Sequence, residues 1–140
     1  MKKYIFIGAG GFLGAIIRFW IKTTPINSYK EFIPINTLFI NITGSFLLAL
    51  ITVTALEIIK IDESLRLGIC TGLLGAYTTF STMCKEAVEL LSKGYYFSSL
   101  SYITNSVVLG LASAYLGAAV ARELIPKLFP SHGRNDLTNL

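Results

Sequence analysis

Four long apolar stretches, separated by short polar connections, run along the chain. They cover residues 4–21, 33–56, 65–91 and 95–121. Each is near the roughly 20 residues that an α-helix needs to cross a bilayer. The pattern predicts an all-α membrane protein whose single domain, residues 1–125, contains four transmembrane helices. We expect residues 126–140 to form a solvated C-terminal tail.

A stripe of polar residues lies within the second stretch. Thr37, Asn41 and Ser45 follow one another at positions i, i+4 and i+8, so a helix places them on one face. Unpaired polar groups are costly in lipid, and the stripe is therefore expected to face protein or a water path. The stripe predicts a polar track that crosses the membrane.

The composition supports a membrane location. Hydrophobic residues make up 53% of the chain and charged residues 14%, compared with about 25% charged residues in soluble domains. The net charge of +4 comes from cations that flank the apolar stretches, which indicates orientation rather than nucleic-acid binding. Lys2, Lys3, Lys60, Arg66, Arg122, Lys127 and Arg134 lie on the side of the termini, against Lys22, Lys30 and Lys93 on the other side. This bias favours termini inside the cell.

Small residues recur at helical spacing in three of the stretches. They are Gly10 and Gly14, Gly68 and Gly72, and the set Gly110, Ala114 and Ala118. This spacing lets helix backbones approach closely, so we expect three packing faces. The glycines of the first stretch do not form a dinucleotide-binding turn, because the fingerprint requires glycine or alanine where Leu13 stands.

The third stretch combines glycines with hydroxyl residues. Gly68, Gly72 and Gly75 are followed by Thr78, Thr79, Ser81 and Thr82. Glycine and β-branched threonine weaken helices, which predicts a helix break between residues 75 and 79. Carbonyl groups exposed at such a break coordinate cations in transporters with discontinuous helices. In the alternative interpretation, the hydroxyl groups bond back to the carbonyl groups of their own helix.

Several motifs occur together and in a fixed order. They are Gly10-Gly11-Phe12-Leu13-Gly14-Ala15-Ile16-Ile17-Arg18, then Asn36-Thr37 with Asn41-Ile42-Thr43-Gly44-Ser45-Phe46, and then Thr78-Thr79-Phe80-Ser81-Thr82 with Glu86. With these motifs in a chain of four predicted spans, the sequence resembles the Fluc/CrcB fluoride channels over nearly its whole length. The resemblance implies a fluoride-selective channel of the prokaryotic plasma membrane that exports fluoride passively and relieves its toxicity.

The resemblance also implies an architecture. Such channels are antiparallel, dual-topology dimers with two anion pores and a broken third helix. A structural Na⁺ at the dimer interface is held by backbone carbonyl groups, which correspond here to Gly75 and Thr78. We expect a homodimer, and a heterodimer with a related subunit is the alternative.

The family's pore residues map onto a set of donors and rings. They are Asn41, Phe80, Ser81, Thr82, Tyr102 and Ser106, with Arg18 and Glu86 at the vestibule or pore mouth. Amide and hydroxyl hydrogens can replace the water around fluoride without trapping it as a buried ammonium group would. The edge of the Phe80 ring is electropositive and can face an anion.

Two positions depart from the family pattern. Met83 stands where the family usually has a second pore phenylalanine, and methionine has no ring edge. Gly110 stands where related channels can carry another hydroxyl group. We therefore expect a changed second anion site and a shorter polar track.

The candidate pore residues also have ordinary structural interpretations. Phe80 can fill space between helices, and Tyr102 can anchor the membrane interface. Arg18 can extend its side chain from a span end to water. Glu86 can be a charge at the end of a membrane span.

Other functions fit the sequence less well than a channel. A small four-helix proton-coupled drug antiporter needs a titratable carboxylate in mid-membrane, which the first stretch lacks. A non-conducting membrane assembly subunit would explain the small-residue faces but not the stripe at Asn41. An enzyme fits least well, because the single histidine, His132, lies in the tail, and neither a His/Cys metal cluster nor a set of Ser, His and Asp/Glu could meet in the membrane.

Overall fold

The computed structural model describes residues 1–24 and 33–128, which are helical and contain no strand. The α-helices are α1 (Lys2–Thr23), α2 (Ile35–Val53), α3 (Glu63–Leu67), α4 (Gly75–Tyr77), α5 (Phe80–Ser92) and α6 (Tyr96–Leu128). Two π-helical segments, here called π1 (Thr54–Ile58) and π2 (Gly68–Leu74), extend α2 and join α3 to α4. The predicted all-α fold is confirmed for this part of the chain.

Three helical stretches within the described residues are long and apolar enough to cross a membrane. They are α1, α2 together with π1, and α6. The third predicted span, residues 65–91, is divided among α3, π2, α4 and α5, and none of these segments alone has the roughly 20 residues of a single span. The structure therefore supports a multi-pass membrane protein, with several consecutive segments in place of one continuous third helix.

The glycines of the first and third stretches bring α1 and π2 into close contact. A Cβ atom at Gly10 would collide with the backbone of Gly68, and one at Gly14 would collide with the backbone of Leu73. A Cβ atom at Gly72 would press on the backbone of Ile7. These two predicted packing faces are confirmed. We call Gly10, Gly14, Gly68 and Gly72 the glycine seam.

The helices α2 and α6 pack along much of their lengths. Their closest approach is at Gly117, where a Cβ atom would collide with the Phe46 carbonyl group. A Cβ atom at Gly110 would have room, with Ser45 Oγ as its nearest neighbour at 3.8 Å. Gly110 therefore faces α2 without a close approach of the two backbones, and the part of the prediction that concerns Ala114 and Ala118 stays a prediction. The face of α6 that meets α2 also contains Gly117 and Ser113, whose Oγ donates to the Ile42 carbonyl at 2.7 Å.

The fourth span is longer than predicted. The 33 residues of α6 continue past Ala121 to Leu128 and include Pro126. At about 1.5 Å per residue the helix measures about 50 Å, more than the roughly 30 Å hydrocarbon core of a bilayer. The connection at residues 25–32 and the part of the predicted tail that contains His132 lie outside the described residues.

Candidate functional site

The helical backbone is interrupted between α4 and α5. Thr78 (φ −73°, ψ 157°) and Thr79 (φ −153°, ψ 107°) have extended conformations. Thr79 Oγ1 accepts a hydrogen bond of 3.2 Å from the Thr82 amide, which caps the start of α5. Gly44 of α2 provides the space for this interruption, because a Cβ atom there would collide with the Thr78 side chain.

Asn41 pairs with the backbone at this interruption. Its Nδ2 donates to the Thr79 carbonyl at 3.2 Å, and its Oδ1 accepts from the Thr79 amide at 2.8 Å. In a continuous α-helix the Thr79 amide would donate to the Gly75 carbonyl instead. Asn41 therefore satisfies both polar groups of Thr79 and directs the usual donor away from Gly75. We call this pair of hydrogen bonds the Asn41 clamp.

An open groove of about 260 Å³ lies beside the clamp. It is lined by Asn41, Ser45, Leu48, Thr78, Thr79, Phe80, Met83, Ser106 and Val107. Met83 is buried, with 6% of its surface exposed, whereas the Phe80 side chain is 75% exposed. The structure thus brings Asn41, Phe80, Met83 and Ser106 together at one surface.

The hydroxyl residues at the start of α5 lie next to this groove. Thr82 Oγ1 accepts a hydrogen bond of 2.9 Å from Thr79 Oγ1. The exposed Ser81 has its Oγ 3.4 Å from Thr79 Oγ1. Thr78 Oγ1 donates to the Leu74 carbonyl at 2.9 Å, so back-bonding to its own helix does occur at this residue.

Polar side chains with hydrogen-bond partners lie between the groove and the end of α5. Ser106 Oγ donates to the Tyr102 carbonyl at 2.7 Å, and the fully buried Tyr102 donates its hydroxyl to Glu86 Oε2 at 2.8 Å. Glu86 Oε1 accepts from Thr37 Oγ1 at 3.0 Å and from Lys22 Nζ at 2.9 Å. We call these five residues the polar chain. Glu86 thus has three hydrogen-bond donors around it rather than standing alone near a helix end.

Arg18 is not part of the polar chain. It is half-buried on α1 and forms no hydrogen bond or ion pair with residues 1–24 or 33–128. Among residues 1–24 and 33–128, Arg18 is thus not hydrogen-bonded to any other predicted site residue.

The predicted site residues do not include Thr79, Thr37 and Lys22, although all three make hydrogen bonds in this region. Thr79 belongs to the quoted Thr-Thr-Phe-Ser-Thr motif, and its place in the predicted break was a usable signal. Thr37 lies on the polar stripe, and its i, i+4 relation to Asn41 was a signal as well. In the sequence, Lys22 is one of several cations at the ends of apolar stretches, and nothing in its position indicates a contact with Glu86.

The three residues of the polar stripe all face protein. Thr37 contacts Glu86, Asn41 contacts Thr79, and Ser45 lines the groove. The interpretation of the stripe is confirmed, because each side chain points toward α5 or α6 rather than toward lipid.

The region near Gly75 suits a cation held by carbonyl groups. Gly75 is exposed and Thr78 is half-buried, so both lie at an accessible surface of the chain. The Asn41 clamp removes the α-helical donor from the Gly75 carbonyl. Within the described residues no group of three or more His, Cys, Asp or Glu side chains is placed to hold a metal. Backbone oxygens are hard ligands, which suits an alkali cation such as Na⁺.

A model of the family described as CrcB-like protein, Camphor Resistance (CrcB), matches residues 5–118. The chain belongs to the CrcB family. The resemblance found in the sequence motifs is therefore confirmed.

Relatives of this CrcB chain are named fluoride-specific ion channels. FluC of Rhizobium meliloti is 34% identical over 125 residues, which cover 89% of this chain and 100% of the relative. FluC 2 of Carboxydothermus hydrogenoformans is 39% identical over 134 residues, which cover 96% and 98%. FluC 1 of Staphylococcus epidermidis is 37% identical over 118 residues, which cover 84% and 95%. The relatives are named as channels, which agrees with the prediction that the chain is not an enzyme.

Proposed function

We propose that this CrcB-family chain is a fluoride-selective channel of the prokaryotic plasma membrane and exports fluoride passively, which relieves fluoride toxicity. The observation that carries the proposal is the open groove at Asn41, from which the polar side chains of Ser106, Tyr102 and Glu86 follow one another toward the end of α5. Relatives named fluoride-specific ion channels match this chain over nearly their whole lengths.

The donors of the groove suit a small anion. Fluoride is strongly hydrated and enters a narrow pore only where hydrogen-bond donors replace its water. Asn41 has two amide hydrogens and uses one of them on the Thr79 carbonyl, which leaves the other for an anion. Ser81 and Thr82 add hydroxyl groups, and the exposed Phe80 offers its ring edge. These neutral donors attract fluoride and still release it.

The proposed assembly is an antiparallel, dual-topology homodimer. Phe80 is 75% exposed and the groove is open along one side, so a second copy can close the groove and surround the ring. Membrane lipid covers the remaining apolar surface. If the chain requires a related subunit instead, the chain expressed alone will be silent and will gain flux when that subunit is added.

A structural Na⁺ at the dimer interface forms part of the proposal. The carbonyl groups of Gly75 and Thr78 from two antiparallel copies would supply four oxygens around one cation. The cation would cancel the repulsion among these carbonyl dipoles and hold the two helix interruptions together. The redirected Thr79 amide supports this role, because it leaves the Gly75 carbonyl without its α-helical donor.

Fluoride efflux from liposomes that contain the purified chain tests the proposed function. Efflux is measured with a fluoride electrode, beside chloride efflux and beside fluoride efflux under an imposed proton gradient. We expect fluoride efflux that exceeds chloride efflux and does not require the proton gradient. Flux driven by the proton gradient would indicate an antiporter, and absence of both fluxes in a folded dimer would contradict the channel.

A further inference from the structure

Glu86 places a negative charge within the polar chain, where Tyr102, Thr37 and Lys22 all donate to it. It lies six residues before Ser92, the last residue of α5, and therefore about 9 Å from the helix end. Its side chain is only 16% exposed, so water screens its charge weakly. A carboxylate in this position repels an anion that arrives through the groove, unless a cation compensates the charge.

The cation that compensates Glu86 comes from α1. Lys22 Nζ lies 2.9 Å from Glu86 Oε1, and Lys22 is the single cationic partner of Glu86 among residues 1–24 and 33–128. The other donors to Glu86, Thr37 and Tyr102, are neutral hydroxyl groups. The neighbouring Glu89 is paired with Lys93 at 2.8 Å, so its charge has a separate partner.

The position of Lys22 is fixed by the second stretch. Asn36 Nδ2 donates to the carbonyl groups of Ile21 and Thr24, each at 3.1 Å. These bonds hold the last turn of α1 against the start of α2, beside Thr37. The side chain of Lys22 is 35% exposed, so part of its ammonium group remains hydrated.

We propose that Lys22 is a positioning residue for fluoride conduction, which neutralises the Glu86 carboxylate so that fluoride passes this end of the pathway. The inference rests on the proposed function. The ammonium group acts through Glu86 and not as a fluoride ligand. A purely structural role, in which the ion pair merely ties α1 to α5, makes a different prediction that can be tested.

The test is a double-mutant cycle of fluoride efflux in liposomes. The variants are Lys22→Met, Lys22→Arg, Glu86→Gln, and Lys22→Met combined with Glu86→Gln. Glu86→Gln removes the charge and keeps the size of the side chain, with one oxygen acceptor replaced by an NH₂ donor. Arg122→Met is the matched control, because Arg122 also ties two helical segments through a pair of 2.8 Å to Glu57, at the other end of the protein.

We expect Lys22→Met to lower fluoride efflux about tenfold, the size of effect expected for one uncompensated charge near the pathway. Lys22→Arg should keep efflux within about twofold of the original chain, because the charge is retained. In the Glu86→Gln background, Lys22→Met should change efflux by less than about twofold, because no carboxylate remains to be neutralised. Arg122→Met should also stay within about twofold, as for an exposed pair.

Three outcomes would overturn the inference. One is an unchanged efflux in Lys22→Met, and another is an equally large loss when Lys22→Met is made in the Glu86→Gln background. The third is loss of folded, monodisperse protein in Lys22→Met while Lys22→Arg folds, because Lys22 would then act in folding. If the original chain itself carries no fluoride, the proposed function fails instead, and the same measurement identifies that case.

Discussion

The glycine seam and the groove both adjoin the helical segments of the third stretch, but they differ in what fills the space between helices. In the seam, backbone meets backbone, and a single added Cβ atom at Gly10 or Gly14 has no room. In the groove, Asn41, Ser45 and Ser106 leave an open space of about 260 Å³. Close packing leaves no room for an ion at the first surface, whereas the second surface is open and presents polar side chains beside apolar ones, which suits the passage of a small ion.

The two surfaces also differ in how the backbone is hydrogen-bonded. The seam forms where π2 and α1 keep helical hydrogen bonds, and small residues let them meet. At the groove the helical hydrogen bonds are lost at Thr79, and the Asn41 clamp replaces them. The side chain that stabilises the interruption is thus also the side chain that we assign to fluoride. Changes in the seam should reduce stability, and changes in the groove should reduce flux.

The largest expected effect is on flux, in the variant Asn41→Asp. A carboxylate replaces a donor with a repelling charge at the wall of the groove, so we expect fluoride efflux to fall at least about a hundredfold. The folded dimer should survive, because one carboxylate oxygen can still accept from the Thr79 amide. Size-exclusion chromatography and liposome efflux check the two parts. Undiminished efflux would remove Asn41 from the pathway.

The next effect is on stability, in the variant Gly10→Ala. The added Cβ atom collides with the Gly68 carbonyl group, so the backbones must separate, at a cost of about 1–3 kcal/mol. Gly8→Ala is the matched control on the same helix, because nothing lies within 4 Å of its Cβ position. Thermal unfolding in detergent should show a lower midpoint for Gly10→Ala alone. Equal midpoints for the two variants would mean that the seam is not closely packed.

Much of this division between seam and groove was predictable from the sequence, because it depends on local spacing. The i, i+4 stripe of Thr37, Asn41 and Ser45 and the paired glycines of the first and third stretches follow from helical periodicity alone. The Asn41 clamp was not predictable in this way, because it joins residues 38 positions apart whose relation depends on how α2 packs. The same is true of Lys22 and Glu86, which are 64 positions apart. The close contact of Gly117 with α2 was not predicted. Which small residue of α6 meets α2 depends on the rotation of α6 about its axis, and this rotation cannot be derived from the spacing of small residues alone.

Removal of Na⁺ should have a smaller effect than either substitution. If the carbonyl groups of Gly75 and Thr78 hold Na⁺ as proposed, purification with a large organic cation in its place would leave them uncompensated, and we expect a weaker proposed dimer and reduced efflux. Analytical ultracentrifugation in both cations, followed by return of Na⁺, checks reversibility. A dimer and an efflux that do not respond to Na⁺ in a preparation shown to be free of the ion would contradict the carbonyl site.

The smallest effect is expected for Met83→Phe. Met83 is 6% exposed and packs with Ala87, Leu90 and Tyr102 in a core beside the groove, where a methionine adapts its shape easily. The substitution restores the usual family residue, and we expect fluoride efflux from the chain expressed alone to stay within about tenfold of its original value. An original chain that is silent by itself and becomes active in the Met83→Phe variant would show that this position limits the pore.

We expect the groove side of this protein to form a passive, fluoride-selective channel. Current across a planar bilayer that contains the purified chain measures this property. With unequal fluoride on the two sides, the account predicts a current that reverses at the equilibrium potential of fluoride and does not shift when the chloride or proton gradient is changed. The current should vanish in Asn41→Asp and persist in Gly8→Ala. A reversal potential that follows chloride or protons, or a fluoride current unchanged in Asn41→Asp, would contradict the account.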